Sequence, residues 1–278
     1  MNQTSLNRSF TTWSLLGFAA PSIIMMVFMS LYTIVDGIFI SRFVGSNALS
    51  SLNIVYPMIS VVIAIATMFA TGGNAIVSRY LGQGQEKQAR KALTEFVVIG
   101  VLISTVFAVL VILFENPICR FLGANDELMA DCKAYLTISM LFAPACTLQT
   151  LFQSYFVTAS RPGLGLWLTV AAGILNAVLD YVLIVPIPLG IAGAALATGF
   201  GQLLPAVVGL IFFAIPRKTL RFCRFSFRPR EIRDACINGS SEMIGQMATA
   251  ITTFLFNIIL MRLAGSDGVA AMTILFYG

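Results

Sequence analysis

"ALTEFVVIGVLISTVFAVLVILF", residues 92–114, is the stretch that decides the fold of this chain. Its single charged residue, Glu95, lies near its start, and the residues that follow are apolar or carry only a small hydroxyl group. About 20 such residues in an α-helix span the ~30 Å hydrocarbon core of a bilayer. A helix also satisfies its backbone N–H and C=O groups internally, which lipid requires. The stretch therefore predicts a membrane-spanning helix.

Similar apolar runs recur along the chain. The chain is 58% hydrophobic and 10% charged, with a mean hydropathy of +0.90, whereas a soluble domain carries about 25% charged residues. The first run continues almost directly into the second and has no small-residue cleavage site, so we interpret it as a span rather than a signal peptide. We predict an all-α integral membrane protein. The other runs lie near residues 14–40, 47–72, 134–158, 163–185, 190–215 and 236–262, and an eighth begins near residue 268.

The basic residues predict the orientation of these runs. With the N-terminus in the cytoplasm, most of the 17 Lys and Arg residues fall on the cytoplasmic side, as the positive-inside rule requires. This predicts a multi-pass protein of the cytoplasmic (inner) membrane. The basic segment 217–233 is predicted to lie against anionic lipid head groups rather than to bind nucleic acid. The chain has no His and no C-x-x-C pair, so no metal site of the usual kind is predicted. The outer basic residues would be Arg42, Arg120, Lys133 and Arg262.

Two stretches form an internal repeat. Residues 37–58, "GIFISRFVGSNALSSLNIVYPM", align without a gap with residues 257–278, "NIILMRLAGSDGVAAMTILFYG". With six spans before the second copy, both copies start on the same side of the membrane, which is the arrangement of parallel repeats. The identical positions are Ile38, Arg42, Gly45, Ser46 and Ile54 in the first copy and Ile258, Arg262, Gly265, Ser266 and Ile274 in the second.

The repeat predicts how the chain is divided. Residues 1–215 would form a six-helix N-lobe, residues 216–235 a basic cytoplasmic linker, and residues 236–278 the first one to two helices of a second, repeated six-helix lobe. The last run stops inside a predicted span. We therefore interpret the chain as an N-terminal fragment of a longer protein.

Apart from Glu95, which lies near a helix end, three acidic residues lie inside the predicted spans: Asp36, Asp180 and Glu242. A charge at the bilayer centre costs at least ~2.5–3.5 kcal/mol, so such residues usually face a cavity. Asp36 and Asp180 lie at matched depth, each ~9 Å inside the outer boundary of its helix, and no Lys or Arg lies in a span interior to neutralise them. We predict that these two residues line one cavity open to the outside and hold a proton or Na⁺. Glu242, near the inner interface, is a candidate second site.

Further polar residues are placed to support this pair. Asn176 and Tyr32 each precede one of the two acids by four residues, so each shares a helix face with its acid. Thr198 is predicted to lie ~12 Å below the outer boundary, and two glutamines give the fourth run a polar stripe. For Tyr32 and the glutamines a role in helix packing alone is equally consistent. The predicted supporting residues are Tyr32, Gln149, Gln153, Asn176 and Thr198.

The chemistry of buried carboxyl groups suggests what such a site does. A carboxyl group can exchange between a neutral, protonated form and an ionised form that attracts a cation. If the form depends on conformation, proton movement is coupled to shape change. A site at which a proton or Na⁺ competes with a positively charged cargo has the minimal chemistry of an antiporter.

Four stretches make the chain resemble a known family, multidrug and toxic compound extrusion (MATE), and in particular its DinF/MepA-like branch. They are "APSIIMMVFMSLYTIVDGIFISRFVG" (20–45), "TGGNAIVSRYLGQGQEKQAR" (71–90), "SRPGLGLWLTVAAGILNAVLDYVLI" (160–184) and "GIAGAALATGFGQ" (190–202). The resemblance implies a monomeric twelve-helix exporter of two six-helix lobes that contributes to antibiotic resistance. It would exchange cationic, amphipathic small molecules for H⁺ or Na⁺ by alternating access, without a cofactor. The implied N-lobe site residues are Asp36, Asn176, Asp180 and Thr198.

Two alternative functions fit the sequence less well. A flippase for lipid-linked oligosaccharide or peptidoglycan precursors belongs to the same superfamily, but it is expected to carry cationic residues for pyrophosphate, and no span interior has them. An intramembrane aspartyl protease would use the two acids as a dyad. That enzyme class requires a G-x-G-D motif, whereas the acids lie in "YTIVDGI" and "NAVLDYV". We therefore predict a transporter and not an enzyme.

Overall fold

The computed structural model describes residues 20, 23–24, 27–28, 30–31, 34, 36–216 and 219–277. Over these residues the chain is helical and has no β-strand, so the prediction of an all-α fold is confirmed. A helical stretch that includes residues 36–39 leads into a π-helical turn, Ile40–Val44. The helices that follow are α1 (Ser46–Gly82), α2 (Glu86–Leu113), α3 (Glu115–Phe121), α4 (Met129–Leu141), α5 (Ala143–Thr158), α6 (Pro162–Ile184), α7 (Ile191–Ala214) and α8 (Pro229–Tyr277).

The helices follow the predicted apolar runs closely. Within the described ranges, five helices are long and apolar enough to cross a membrane, or six if α4 and α5 together form one bent span. The predicted run 134–158 is this pair, and its two helices meet at an angle of 51°. The break lies at Phe142, and Pro144 occupies the first turn of α5. Proline has no N–H group and its ring clashes with the carbonyl group four residues earlier, so it interrupts a continuous helix.

Two apolar cores hold the helices together, one in each half of the bundle. The core near the start of α1 contains residues such as Ile54 and Leu136, both fully buried. The core near the end of α1 is rich in aromatic side chains. In this core the ring of Phe213 stacks on the rings of Phe152 and Phe156, at centroid distances of 5.4 and 5.6 Å. The second core lies at the end of the bundle that also carries the basic linker, which we call the basic end.

Helix α8 lies antiparallel along α1. A Cβ atom built on Gly72 would lie 1.9 Å from the carbonyl oxygen of Ala235, and one built on Gly239 would lie 2.1 Å from that of Met68. The absence of a side chain therefore allows the two backbones to touch, as is common between membrane helices. Towards the other end of the pair, Asn257 Nδ2 donates a hydrogen bond of 2.8 Å to the carbonyl oxygen of Asn53.

The two copies of the predicted repeat share a break in the backbone. Gly45, before α1, has a φ of 121°, and Gly265, which aligns with it, has a φ of 64° and kinks α8. Glycine adopts such positive values without the steric penalty that a Cβ atom brings. The repeat is thus reflected in local geometry, while the division into two lobes stays a prediction.

The predicted basic linker is partly helical and partly packed on the bundle. Helix α8 begins at Pro229, so residues 229–235 of the predicted linker are helical. Phe222 packs against the aromatic core, and the Cys223 N–H group donates to Thr94 Oγ1 at 3.0 Å. These contacts attach the linker to the helices, while the contact of its basic residues with lipid head groups stays a prediction.

The contact between α1 and α8 predicts a difference between two glycines of α8. Gly239→Ala places a methyl group against a backbone carbonyl, and such overpacking costs typically about 1–3 kcal/mol. Gly245→Ala introduces the same group where no atom lies within 4 Å, so it is expected to leave stability unchanged or to raise it slightly. Thermal unfolding of the complete protein in detergent should show a lower Tm for Gly239→Ala alone. Equal Tm values for both variants would contradict this packing.

Candidate functional site

The structure brings Asp36 and Asp180 together. Asp36 lies in the helical stretch just before the π-helical turn, and Asp180 lies in the last two turns of α6. The residues are 8% and 0% exposed, respectively, and their carboxyl groups lie close enough to influence each other electrostatically. Two acids that are 144 residues apart in the sequence therefore form one buried pair.

Nothing of positive charge faces this pair in the part of the chain that the structure describes. Asp36 Oδ1 and both carboxylate oxygens of Asp180 have no hydrogen-bond partner there, and no Lys or Arg forms an ion pair with either residue. A buried charge is tolerated only when a counter-charge or a set of hydrogen bonds compensates it. Protonation of the pair, or binding of a cation, would supply this compensation.

Asn176 and Thr198 link two helices near the pair's Asp180. Asn176 lies one turn before Asp180 on the same face of α6, and its Nδ2 atom donates to Thr198 Oγ1 on α7 at 3.5 Å. Gly201 permits this approach, because a Cβ atom there would lie 3.3 Å from Asn176 Cβ. The predicted supporting amide and hydroxyl groups are therefore in contact with each other, with Asn176 one helical turn from Asp180.

One of the two predicted glutamines, Gln149, lines a small cavity, and the other, Gln153, is hydrogen-bonded to a residue of its wall. Gln153 Nε2 on α5 donates to Thr169 Oγ1 on α6 at 3.2 Å, and Gln149 Oε1 is buried with no partner among the described residues. Gln149 also lines a cavity of about 10 Å³ between α5, α6 and α7, together with Thr169, Asn176, Thr198 and Gln202. A cavity of that size holds about one water molecule.

Gln202 is a site residue that sequence reasoning missed. It lines the same small cavity and also a neighbouring one, of about 40 Å³, which includes Thr198, Ser139 and Tyr135. The signal was present, since Gln202 follows Thr198 by four residues and so shares its helix face. The two cavities together give α7 a continuous polar face inside the bundle.

Three further predicted features are not found at the pair among the described residues. Tyr32 lies outside the described residues. Glu242 is exposed on α8, three residues after Gly239, and is not part of the buried pair. The expected cavity that opens from Asp36 and Asp180 to the outside is closed in this conformation, since neither side chain is more than 8% exposed.

The chain matches known proteins over most of its length. A family model described as MatE matches residues 21–182, which is more than half of the chain. The multidrug export protein MepA of Staphylococcus saprophyticus is 27% identical over 197 residues, or 70% of this chain and 44% of the relative. MepA of Staphylococcus aureus strain N315 is 26% identical over 201 residues, or 72% of this chain and 44% of the relative. The chain thus spans less than half the length of these relatives, which are exporters and not enzymes.

Solved structures show the same fold. The MATE multidrug transporter DinF-BH, solved as a complex, superposes with a TM-score of 0.90 at 20% identity, over all of this chain and 63% of that one. An inward-facing MATE family transporter matches with a TM-score of 0.83 at 19% identity, over 91% of this chain and 60% of its own. An outward-facing MATE family transporter matches with a TM-score of 0.81 at 20% identity, over 93% of this chain and 58% of that one. These identities show the fold alone. The family model, which matches more than half of the chain, shows that the chain belongs to the MatE family.

Proposed function

We propose that this chain forms the ion-coupling part of a secondary active multidrug antiporter. The complete protein would export cationic, amphipathic compounds across the cytoplasmic membrane in exchange for H⁺ or Na⁺. The observation that supports this most strongly is the buried contact between Asp36 and Asp180, which no basic residue of the described part neutralises. The curated relatives support the cargo class, since both are named multidrug export proteins.

The proposed exchange follows from competition for one pair of carboxyl groups. A proton or Na⁺ compensates the charge of Asp36 and Asp180 while the site is closed and dry. When the helices separate on the side that holds the drug, water enters, and a positively charged compound can replace the smaller cation. The pair can be buried only when it holds either the coupling ion or the drug. The site therefore closes around the drug in one direction of transport and around the coupling ion in the other.

The polar neighbours of the pair have a positioning role in this scheme. Asn176 and Thr198 connect α6 to α7, so a change in the charge of Asp180 reaches the polar face of α7. The small cavity that Asn176 and Thr198 line has room for about one water molecule. The alternation itself is supported by the likeness to both an inward-facing and an outward-facing transporter, which the chain matches about equally well.

Neutralising either acid should abolish ion-coupled export. Asp36→Asn and Asp180→Asn keep the side-chain volume but remove the negative charge that holds the cation. A hydrogen bond to a charged group contributes about 1.5–3 kcal/mol, so we expect efflux of a cationic dye to fall at least about tenfold. Efflux is measured in cells that express the complete protein and lack their own exporters, at equal membrane levels.

Asp126→Asn is the matched control for these variants. It removes the same charge from a side chain that is 96% exposed, and export should continue at the unmodified rate. Full efflux by both Asp36→Asn and Asp180→Asn would refute the assignment of the pair.

Binding of a cationic dye should release the cation that the pair holds. Added ethidium should acidify a weakly buffered, sodium-free detergent solution of the complete protein, because the dye displaces a proton from the pair. If Na⁺ is the coupling ion, Na⁺ should instead weaken ethidium binding at constant pH. The Asp36→Asn/Asp180→Asn double variant should show neither effect. A complete protein that binds ethidium without proton release and without competition from Na⁺ would contradict the proposed exchange.

A further inference from the structure

A third buried acid of the described residues, Glu95, plays no part in the proposed exchange. It lies on α2 at the basic end and is 0% exposed. Sequence reasoning placed it near a helix end and gave it no role. Unlike Asp36 and Asp180, Glu95 has a cationic partner. That partner, Arg228, lies 133 residues further along the chain, at the end of the linker.

Arg228 connects the linker to α1, α2 and the start of α8. Its backbone N–H group and its Nε atom both donate to Glu95, the latter at 3.2 Å. Its Nη1 atom donates to Glu231 in the first turn of α8 and, at 3.2 Å, to Gln88 Oε1 on α2. Tyr80 OH on α1 donates to the same Glu231 carboxylate at 2.9 Å. We refer to these five residues as the Arg228 cluster.

Hydrogen bonds to backbone groups of the linker attach it to α2 and α7 as well. Arg90 Nε on α2 donates to the carbonyl oxygen of Thr219 at 2.7 Å, and the Phe222 N–H group donates to the carbonyl oxygen of Phe213 on α7, also at 2.7 Å. The side chain of Phe222 packs in the aromatic core, with its ring centroid 6.0 Å from that of Phe213. The linker is therefore part of the packed structure along most of its length.

Detaching the linker would have a specific electrostatic consequence. Glu95 would lose both donors that Arg228 supplies, and its carboxylate, which the docked linker helps to cover, would have to recover its hydration. Breaking a buried ion pair by removing one partner is destabilising, because the remaining charge loses its compensation. Movement that keeps Arg228 on Glu95 avoids this state altogether.

We propose that Arg228 and Glu95 are positioning residues of the transport cycle, which keep linker residues 219–228 and the first turn of α8 attached to the N-lobe in every conformation. The inference rests on the proposed function, since it concerns the movement that exchange requires. If so, the part of the protein that moves relative to the N-lobe begins after the first turn of α8. The linker, predicted from sequence as a connection between the lobes, moves with the N-lobe as one body.

A disulfide bond between the linker and α2 tests the proposal. Thr94 Oγ1 lies 3.8 Å from Cys223 Sγ, so Thr94→Cys places a second thiol within reach of the native one. Oxidation of the complete protein with copper phenanthroline should form the bond and should leave the efflux rate of a cationic dye within about twofold of the reduced sample. The control is Thr94→Cys combined with Cys223→Ser, which cannot form the bond and shows any other effect of the oxidant.

Two results would overturn the proposal. One is loss of efflux on oxidation that dithiothreitol restores, since this shows that the linker must leave α2 during the cycle. The other is failure of the bond to form, which contradicts the docked geometry. Failure of the proposed function is distinguishable from both, because then the unmodified complete protein exports no cationic dye at all.

The ion pair itself is tested by changes at Arg228. Arg228→Met should lower the maximal efflux rate at least about fivefold while leaving the apparent KM for the dye unchanged, because the buried acid pair is untouched. Arg228→Lys should restore part of the rate, since it retains the positive charge. The matched control is Arg224→Met, an exposed arginine of the same segment. Equal maximal rates for Arg228→Met and Arg224→Met would contradict the role of Arg228. If Arg228→Met does not accumulate in the membrane, the disulfide experiment tests the attachment of the linker without it.

Discussion

The constraint on which the structure depends is the cost of an unpaired charge where neither water nor a counter-ion can reach it. Two buried acidic sites meet this constraint in opposite ways. Glu95 is paired with Arg228 in a hydrogen-bonded cluster, so its charge is compensated within the protein. Asp36 and Asp180 have no basic partner in the described part, so in the proposed exchange a proton or a cation from outside the chain compensates their charge. Compensation of Glu95 by Arg228 is permanent and suits an anchoring role. Compensation of the acid pair by an external cation would be exchangeable, as the proposed transport requires.

The fold places these two solutions in different parts of the bundle. The acid pair lies next to the π-helical turn that leads into α1 and near the end of α6, surrounded by the core at the start of α1. The Arg228 cluster lies at the basic end, beside the aromatic core. Helix α1 runs between both regions and is covered by α8, whose glycines allow close backbone contact. A movement that opens the acid pair can thus leave the basic end intact.

Much of the fold was predictable because hydropathy is a local property. Each described helix with a long apolar run lies where the sequence predicts one, although Pro144 divides the predicted run 134–158 and α8 begins seven residues early, at Pro229. The contact between Asp36 and Asp180 was predicted from their matched depth. The partner of Glu95 was not predicted, because the hydropathy of a segment does not indicate which distant side chain will contact it. Gln202 was missed although its spacing from Thr198 marked it, and the closed state of the site depends on packing alone.

The central claim is that a proton or other cation compensates the Asp36–Asp180 pair and is replaced when cargo binds. Infrared difference spectroscopy observes the carboxyl groups directly, in sodium-free buffer, as ethidium is added to the complete protein. If a proton is the compensating cation, a protonated carboxyl band should disappear on binding, and Asp180→Asn should remove this change. If the complete protein binds ethidium and no carboxyl band changes, with or without Na⁺, the pair does not carry the exchange.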